Sequence, residues 1–305
     1  MAASVGVPNK HLKRENPRRK WKLKNQYHDW LAKLVINAAR LLPWLIALRT
    51  FRYSQKKWII IAGKPSGRIQ SINGVNVYVA NPTSDDRAES QSSAEGQKAI
   101  LVFPDVFGID LINVQLITDK LATDLNTPAY LVDTFAGGDI QPNKLPVGFN
   151  LTEWQKNHRP EQVLPIIETV IKNLTAQGVE RFAATGYCFG GRYVFLSSDR
   201  NWIHVGSTSH PSLVQVPDDF LELREKSKAP LLINSCETDS QFGAEAQKES
   251  DEILGNGQYK PGYKRTYYPG AFHGFGVRAN LSNPPEKRAF DDSYQQMVHW
   301  FDAYL

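Results

Sequence analysis

Six consecutive residues, Gly186-Tyr187-Cys188-Phe189-Gly190-Gly191, combine a nucleophilic side chain with the glycines needed to present it. A short apolar, β-prone run, Arg181-Phe182-Ala183-Ala184-Thr185, precedes them, and a run with helical character, Arg192-Tyr193-Val194-Phe195-Leu196, follows. Strand, Gly-x-Cys-x-Gly, helix is the layout of a nucleophile elbow with cysteine in the serine position. The glycines keep so tight a turn free of colliding side chains. A thiol held there lies at the carboxyl edge of a sheet, above the first turn of a helix whose partial positive charge favours the thiolate. The bland alternative is a glycine-rich turn around an inert buried cysteine. Choosing between them requires a base, an acid to orient it, and an oxyanion site elsewhere in the chain.

Candidates for all three follow apolar runs. Asp239 comes four residues after the run 231–235, in Cys236-Glu237-Thr238-Asp239-Ser240, and Glu237 competes with it for the same role. His273 comes just after the run 263–268, in Pro269-Gly270-Ala271-Phe272-His273-Gly274-Phe275. His210, in Ser209-His210-Pro211, competes with His273. Nucleophile, acid, histidine is the chain order of α/β-hydrolases, unlike that of chymotrypsin or subtilisin. The histidine would take the thiol proton and later activate water, and the aspartate would hold the imidazole tautomer and steady the imidazolium. An oxyanion site needs backbone N–H groups from the residue after the nucleophile, Phe189, and from an earlier strand–helix loop. Phe103-Pro104-Asp105-Val106-Phe107-Gly108 is that loop, with Val106 as second donor. Asp105 would then stand beside the thiol as a switch carboxylate, holding the sulfhydryl proton until substrate arrives.

These residues need a sheet to carry them. Arg68-Ile69-Gln70-Ser71-Ile72 and Val75-Asn76-Val77-Tyr78-Val79, joined by Asn73-Gly74, predict a hairpin with a type I′ turn. Residues 83–97 read as a polar surface loop. Strands are then expected at 99–103, 129–132, 182–185, 203–208, 231–235 and 263–268, with helices at 111–125, 160–177, 243–254 and 286–304. Such alternation predicts an α/β fold: a mostly parallel, doubly wound sheet with helices on both faces and the hairpin as an antiparallel edge. Ligands bind such sheets at the carboxyl ends of the strands, where the candidates fall.

The chain has 305 residues, enough for one large α/β domain. Its net charge of +5 conceals two regions. Residues 1–64 hold 15 Lys and Arg against only Glu15 and Asp29, a charge of +13, which leaves −8 for the rest. The body, residues 66–305, is therefore no nucleic-acid binder, and any attraction to phosphates or anionic lipid resides in the basic extension, residues 1–65. Within the extension, Trp30, Leu31, Leu34, Val35, Ala38, Leu41, Leu42 and Leu45 recur at helical spacing, predicting an amphipathic helix near 27–50 that Pro43 kinks. Its longest uncharged run, 41–48, falls far short of the roughly 20 residues of a membrane span. Two readings of the apolar face stay open: peripheral contact with a membrane surface, or packing against protein. Two cysteines exclude a disulfide framework and fit a reducing compartment, so a cytoplasmic location is expected, with a mitochondrial one the weaker option for a basic but serine-poor start. No metal or cofactor motif is present.

Together, the Gly-Tyr-Cys-Phe-Gly-Gly elbow, Pro104-Asp105-Val106-Phe107-Gly108, the Asp239 loop and His273-Gly274-Phe275 resemble the dienelactone hydrolase family over roughly residues 66–305. Ser209-His210-Pro211-Ser212 and Arg278 resemble its eukaryotic, fungal-type branch. The resemblance implies an α/β-hydrolase fold and hydrolysis of a small-molecule ester or lactone by a Cys188–His273–Asp239 triad through a thioester acyl-enzyme. It implies substrate contacts from Arg278, Phe275 and Tyr187, and makes His210 a structural or pocket residue. Two departures stand out. The bacterial enzymes that open dienelactone carry Glu where this chain has Asp105. They also bind the substrate carboxylate with two arginines, of which Arg278 is a partial match, with none in 133–151. Aspartate is one methylene shorter, which bears on the setting of the thiol switch, and the missing second arginine points away from carboxylated dienelactone as natural substrate. The competing class is a non-catalytic binding protein on the same scaffold, docked by its basic N-terminal helix.

Overall fold

The computed structural model describes residues 62–82, 96–141 and 149–305. The expected amphipathic helix near 27–50 and most of the 83–97 loop lie outside the described residues. The hairpin forms as the Asn-Gly pair dictates. Strand β1 (Arg68–Ile72) pairs antiparallel with β2 (Val75–Ala80), Ile72 opposite Val75. Asn73 and Gly74 both take positive φ, 47° and 87°, as a type I′ turn demands.

Six more strands follow: β3 (Gln97–Phe103), β4 (Ala129–Val132), β5 (Val179–Tyr187), β6 (Val205–Ser209), β7 (Leu231–Thr238) and β8 (Tyr263–Phe272). The sheet runs β1-β2-β4-β3-β5-β6-β7-β8, antiparallel through the hairpin and its contact with β4, parallel from β4 onward. Helices α1 (Ile112–Asp124) and α8 (Pro284–Tyr304) cover one face. Helices α3 (Pro160–Ala176), α4 (Phe189–Asp199), α5 (Asp218–Lys226) and α6 (Ala244–Leu254) cover the other. Two short helices, α2 (Leu151–Lys156) and α7 (Phe275–Arg278), interrupt the loops.

Each central strand feeds both faces because its side chains alternate. Ala99, Leu101 and Phe103 of β3 join the α3–α4 core, while Ile100 and Val102 join the α1–α8 core, all fully buried. At roughly 1.5–3 kcal/mol per large buried side chain, this two-sided burial fixes the register of β3 against β5, since a one-residue slip would exchange the two faces. That register places Phe103 beside Gly186, and so lays the loop after β3 against the elbow after β5.

The expected α/β-hydrolase architecture is the one found. Differences lie at strand ends: β5, β7 and β8 each run past the expected stretches. The apolar signal stops at Ser235 and at Pro269-Gly270, where β propensity falls. Sheet pairing continues regardless, through a register shift between Cys236 and Thr238, until Thr238 stands opposite Phe272. Helices α2, α5 and α7 were also not anticipated; α5 is strongly charged and α7 is a single turn.

Candidate active site

The elbow is built by close approach. A Cβ on Gly186 would run into the carbonyl of Gly190, and one on Gly190 into the carbonyl of Phe103. Cys188 sits between them at φ 53°, ψ −112°, a strained conformation for a side-chain-bearing residue, costing on the order of 1–3 kcal/mol. The Cys188 carbonyl accepts from the N–H of Gly191 (3.0 Å) and of Ser212 (2.9 Å), which hold the strain in place. The thiol is 5 % exposed and stands at the amino terminus of α4.

Extension of β7 and β8 brings the other two candidates together. Asp239 directly follows β7 and His273 directly follows β8, and the His273 N–H donates to the Thr238 carbonyl at 2.9 Å. His273 Nδ1 lies 2.9 Å from Asp239 Oδ1. The same carboxylate oxygen accepts from the N–H groups of Gln241 (2.8 Å) and Phe242 (3.0 Å), so its position is fixed from three sides. Glu237 is directed elsewhere, accepting from the Gly270 N–H at 2.7 Å.

The charges are coupled. Burial would raise the Cys188 thiol, but the His273 charge and a hydrogen bond from it prevail and bring it below its ordinary value; Asp105 opposes this and Arg278 assists. Burial would lower His273, yet Asp239 and then Cys188 outweigh it and push the imidazole up to about 10. Both shifts favour the charged pair, thiolate and imidazolium, over the neutral one.

The loop after β3 is clamped onto the elbow: the Gly190 N–H donates to the Pro104 carbonyl at 3.1 Å, and Ile140 N–H to the Val106 carbonyl at 2.8 Å. Phe189, as the first residue of α4, has no acceptor for its N–H within that helix. Asp105, 1 % exposed, accepts from the Phe107 N–H (3.0 Å) and from Arg278 Nε (2.7 Å). The Arg278 guanidinium also lies over the Phe107 ring, 5.0 Å from its centroid. The structure thus places the expected substrate arginine in an ion pair with the expected switch carboxylate. Asn113 of α1 steadies that arrangement, its side-chain amide donating to the Val277 carbonyl at 2.9 Å.

A family model described as the dienelactone hydrolase family matches residues 87–305. The chain belongs to that family. Hydrolase tropI of Talaromyces stipitatus is 31 % identical over 256 residues, spanning 80 % of this chain and 92 % of the relative. Dienlactone hydrolase 1 of Gibberella moniliformis is 30 % identical over 255 residues, spanning 80 % and 90 %. A putative dienelactone hydrolase from Klebsiella pneumoniae superposes with a TM-score of 0.61 at 19 % identity, over 78 % of this chain and 98 % of that one, and so shares the fold. Membership makes the chain an enzyme of the ester and lactone hydrolase class.

Within this dienelactone hydrolase family member, two expected substrate contacts lie deep. Tyr187 is 2 % exposed in the α1–α8 core, its hydroxyl 3.9 Å from Met297 Sδ, and Phe275 is 1 % exposed. Side-chain alternation explains Tyr187: it precedes the elbow cysteine on the strand and so points to the other face. His210 is fully buried between Tyr187, His273 and Phe275, its ring 5.0 Å from that of His273. Three neighbours of the site were missed as such. Ser212 touches both Cys188 and His273. Cys236 lies 3.9 Å from Asp239 Oδ2. The aromatic cluster of Phe135, Trp154 and His158 packs on Phe189 or its neighbours. Of these only Ser212 carried a signal, as the last residue of Ser-His-Pro-Ser just past a strand.

Proposed function

We propose that this enzyme hydrolyses small-molecule esters or lactones with a Cys188–His273–Asp239 triad through a thioester acyl-enzyme. The thiolate attacks the carbonyl carbon, and the new C–S bond drives the carbonyl electrons onto oxygen. The N–H groups of Val106 and Phe189 receive that oxyanion. Collapse breaks the C–O bond, and the leaving oxygen takes the Nε2 proton of His273; for a lactone it remains tethered. Water then gives a proton to His273 while its oxygen attacks the thioester. The second tetrahedral intermediate expels the thiolate and releases the acid. Asp239 holds the Nδ1 proton throughout.

The observation that carries the reading is the His273 Nδ1–Asp239 Oδ1 contact of 2.9 Å on a histidine whose charge lowers the Cys188 thiol. Cysteine suits activated esters, enol esters and lactones, whose leaving groups need less assistance. With Arg278 engaged by Asp105, substrates without a carboxylate are favoured over carboxylated dienelactone. The test is hydrolysis of p-nitrophenyl acetate and of a neutral lactone by wild type and Cys188→Ala, with intact-mass detection of the acyl-enzyme. Undiminished rates in the variant, or acylation elsewhere, would sink the proposal.

A further inference from the structure

Ser209 ends β6, and His210-Pro211-Ser212 opens an unusually contorted loop. His210 (φ 43°) and Leu213 (φ 63°) both take left-handed backbone without being glycine, each costing on the order of 1–3 kcal/mol. The residue they deliver is Ser212. It is fully buried, and its N–H is fastened to the Cys188 carbonyl at 2.9 Å. Its hydroxyl lies 3.3 Å from Cys188 Sγ and 3.4 Å from His273 Nε2. The second distance is at the long end, and catalytic hydrogen bonds of this kind tighten when substrate binds. No other hydroxyl contact of this kind joins the two groups among the described residues.

We propose that Ser212 is a fourth catalytic residue, a hydroxyl bridge between the nucleophile and the base. A serine hydroxyl has one proton and two lone pairs, so it can donate to the thiolate sulfur while sharing, as a second acceptor, the Nε2–H that the imidazolium also directs at the sulfur. Both hydrogen bonds are charge-assisted and both favour the ion pair over the neutral thiol and imidazole. The same bridge conducts the proton either way: Cys188 S–H passes its proton to Oγ as Oγ passes its own to Nε2, leaving serine unchanged and one proton moved. When the second intermediate collapses, the Ser212 O–H again meets the departing thiolate. This role rests on the thiol-triad reading above.

The groups that set the thiol's protonation lie on all sides: His273 after β8, Asp239 behind it after β7, Asp105 after β3, Arg278 on α7, and uncharged His210 beside Ser212. Removing the Ser212 hydroxyl should therefore weaken, not abolish, the ion pair.

The test compares Ser212→Thr, which keeps a hydroxyl, with Ser212→Val, of the same shape without one, and with Ser212→Ala. The readout is iodoacetamide alkylation of the Cys188 peptide against pH, followed by mass, together with ester turnover. Loss of one hydrogen bond to a charged group predicts alkylation about tenfold slower at pH 6 in the Val and Ala variants, with the midpoint moved upward and kcat/KM reduced about tenfold or more. The Thr variant should stay within about threefold of wild type. If Thr and Val behave alike, or Ala alkylates as wild type does, the bridge is wrong. Cys188→Ala serves as a separate arm. If it abolishes turnover while Ser212→Ala changes nothing, the triad stands and the bridge falls; if it retains turnover, the triad itself falls.

Discussion

The molecule holds two buried thiols, each beside a carboxylate at a strand end, and their environments set them oppositely. Cys188 is brought below its ordinary proton affinity; Cys236 is pushed well above it. Burial is not the difference, because burial raises both and neither is more than 5 % exposed. At Cys236 the nearest charge is Asp239, an anion that reinforces burial. At Cys188 a cation, His273, intervenes, itself sustained by the same Asp239. One carboxylate therefore suppresses ionisation of one thiol directly and promotes that of the other through an imidazole. A reactive cysteine is made by the cation facing it.

The largest effect should follow removal of each thiol in turn. Cys188→Ala is expected to lower ester hydrolysis by at least about 10³-fold, since it removes the nucleophile that forms the acyl intermediate. In wild type, iodoacetamide at pH 6 should label Cys188 and leave Cys236 unmodified until the protein unfolds. Equal labelling of the two in the native state would erase the contrast.

Next in size is the shared carboxylate. Asp239→Asn keeps the shape but not the charge that sustains the imidazolium, and should cost about 10²–10⁴-fold in kcat. The sign of its pH effect follows from the raised His273 value. Below about 10 the imidazolium is present, and above it the proton is lost, so wild-type acylation should decline on an alkaline limb near pH 10. In Asp239→Asn that limb should move to lower pH and the Cys188 alkylation midpoint to higher pH. A limb that stays in place in a pH–rate profile would detach Asp239 from His273.

Much of this contrast could be read from the chain. The elbow was legible because its glycines and its apolar strand are local signals, and Asp239 and His273 because each follows an apolar run. The fold was legible through the alternation of buried strands and amphipathic helices, and the hairpin through Asn73-Gly74. What escaped depends on pairing between distant segments. The last residues of β7 and β8 are held by each other rather than by propensity, which is why Asp239 and His273 stand closer to the strands than expected. The salt link from Arg278 to Asp105 spans the sheet's carboxyl edge from α7 to the β3 loop, and no spacing rule announces it. Tyr187 sits within the elbow motif, but the facing of its strand position directs it into the core.

That salt link supplies a smaller, signed test. Asp105 raises the Cys188 thiol and Arg278 lowers it. Asp105→Asn should therefore speed Cys188 alkylation at pH 6, and Arg278→Met should slow it, each by a factor of about 3–10. The double variant should return close to wild type, because the two partners are removed together; shifts of the same sign in the two single variants would show that loop distortion, not charge, sets the thiol.

The smallest effect belongs to Cys236. Its thiol lies 3.9 Å from Asp239 Oδ2 and 3.8 Å from the Thr238 carbonyl, distances at which an S–H donates only weakly. Asp239 is already held by two backbone N–H groups and by His273 on its other oxygen, so the acid does not need the thiol for its position. Cys236→Ala removes one buried sulfur from the small core it shares with Tyr268, Ala271, Phe275 and Ala289. The expected cost is about 1–2 kcal/mol of stability, read as a lower thermal midpoint, with kcat/KM within about threefold of wild type. A drop beyond tenfold at unchanged stability would mean that the second thiol orients the triad acid, and the two cysteines would then belong to one catalytic unit.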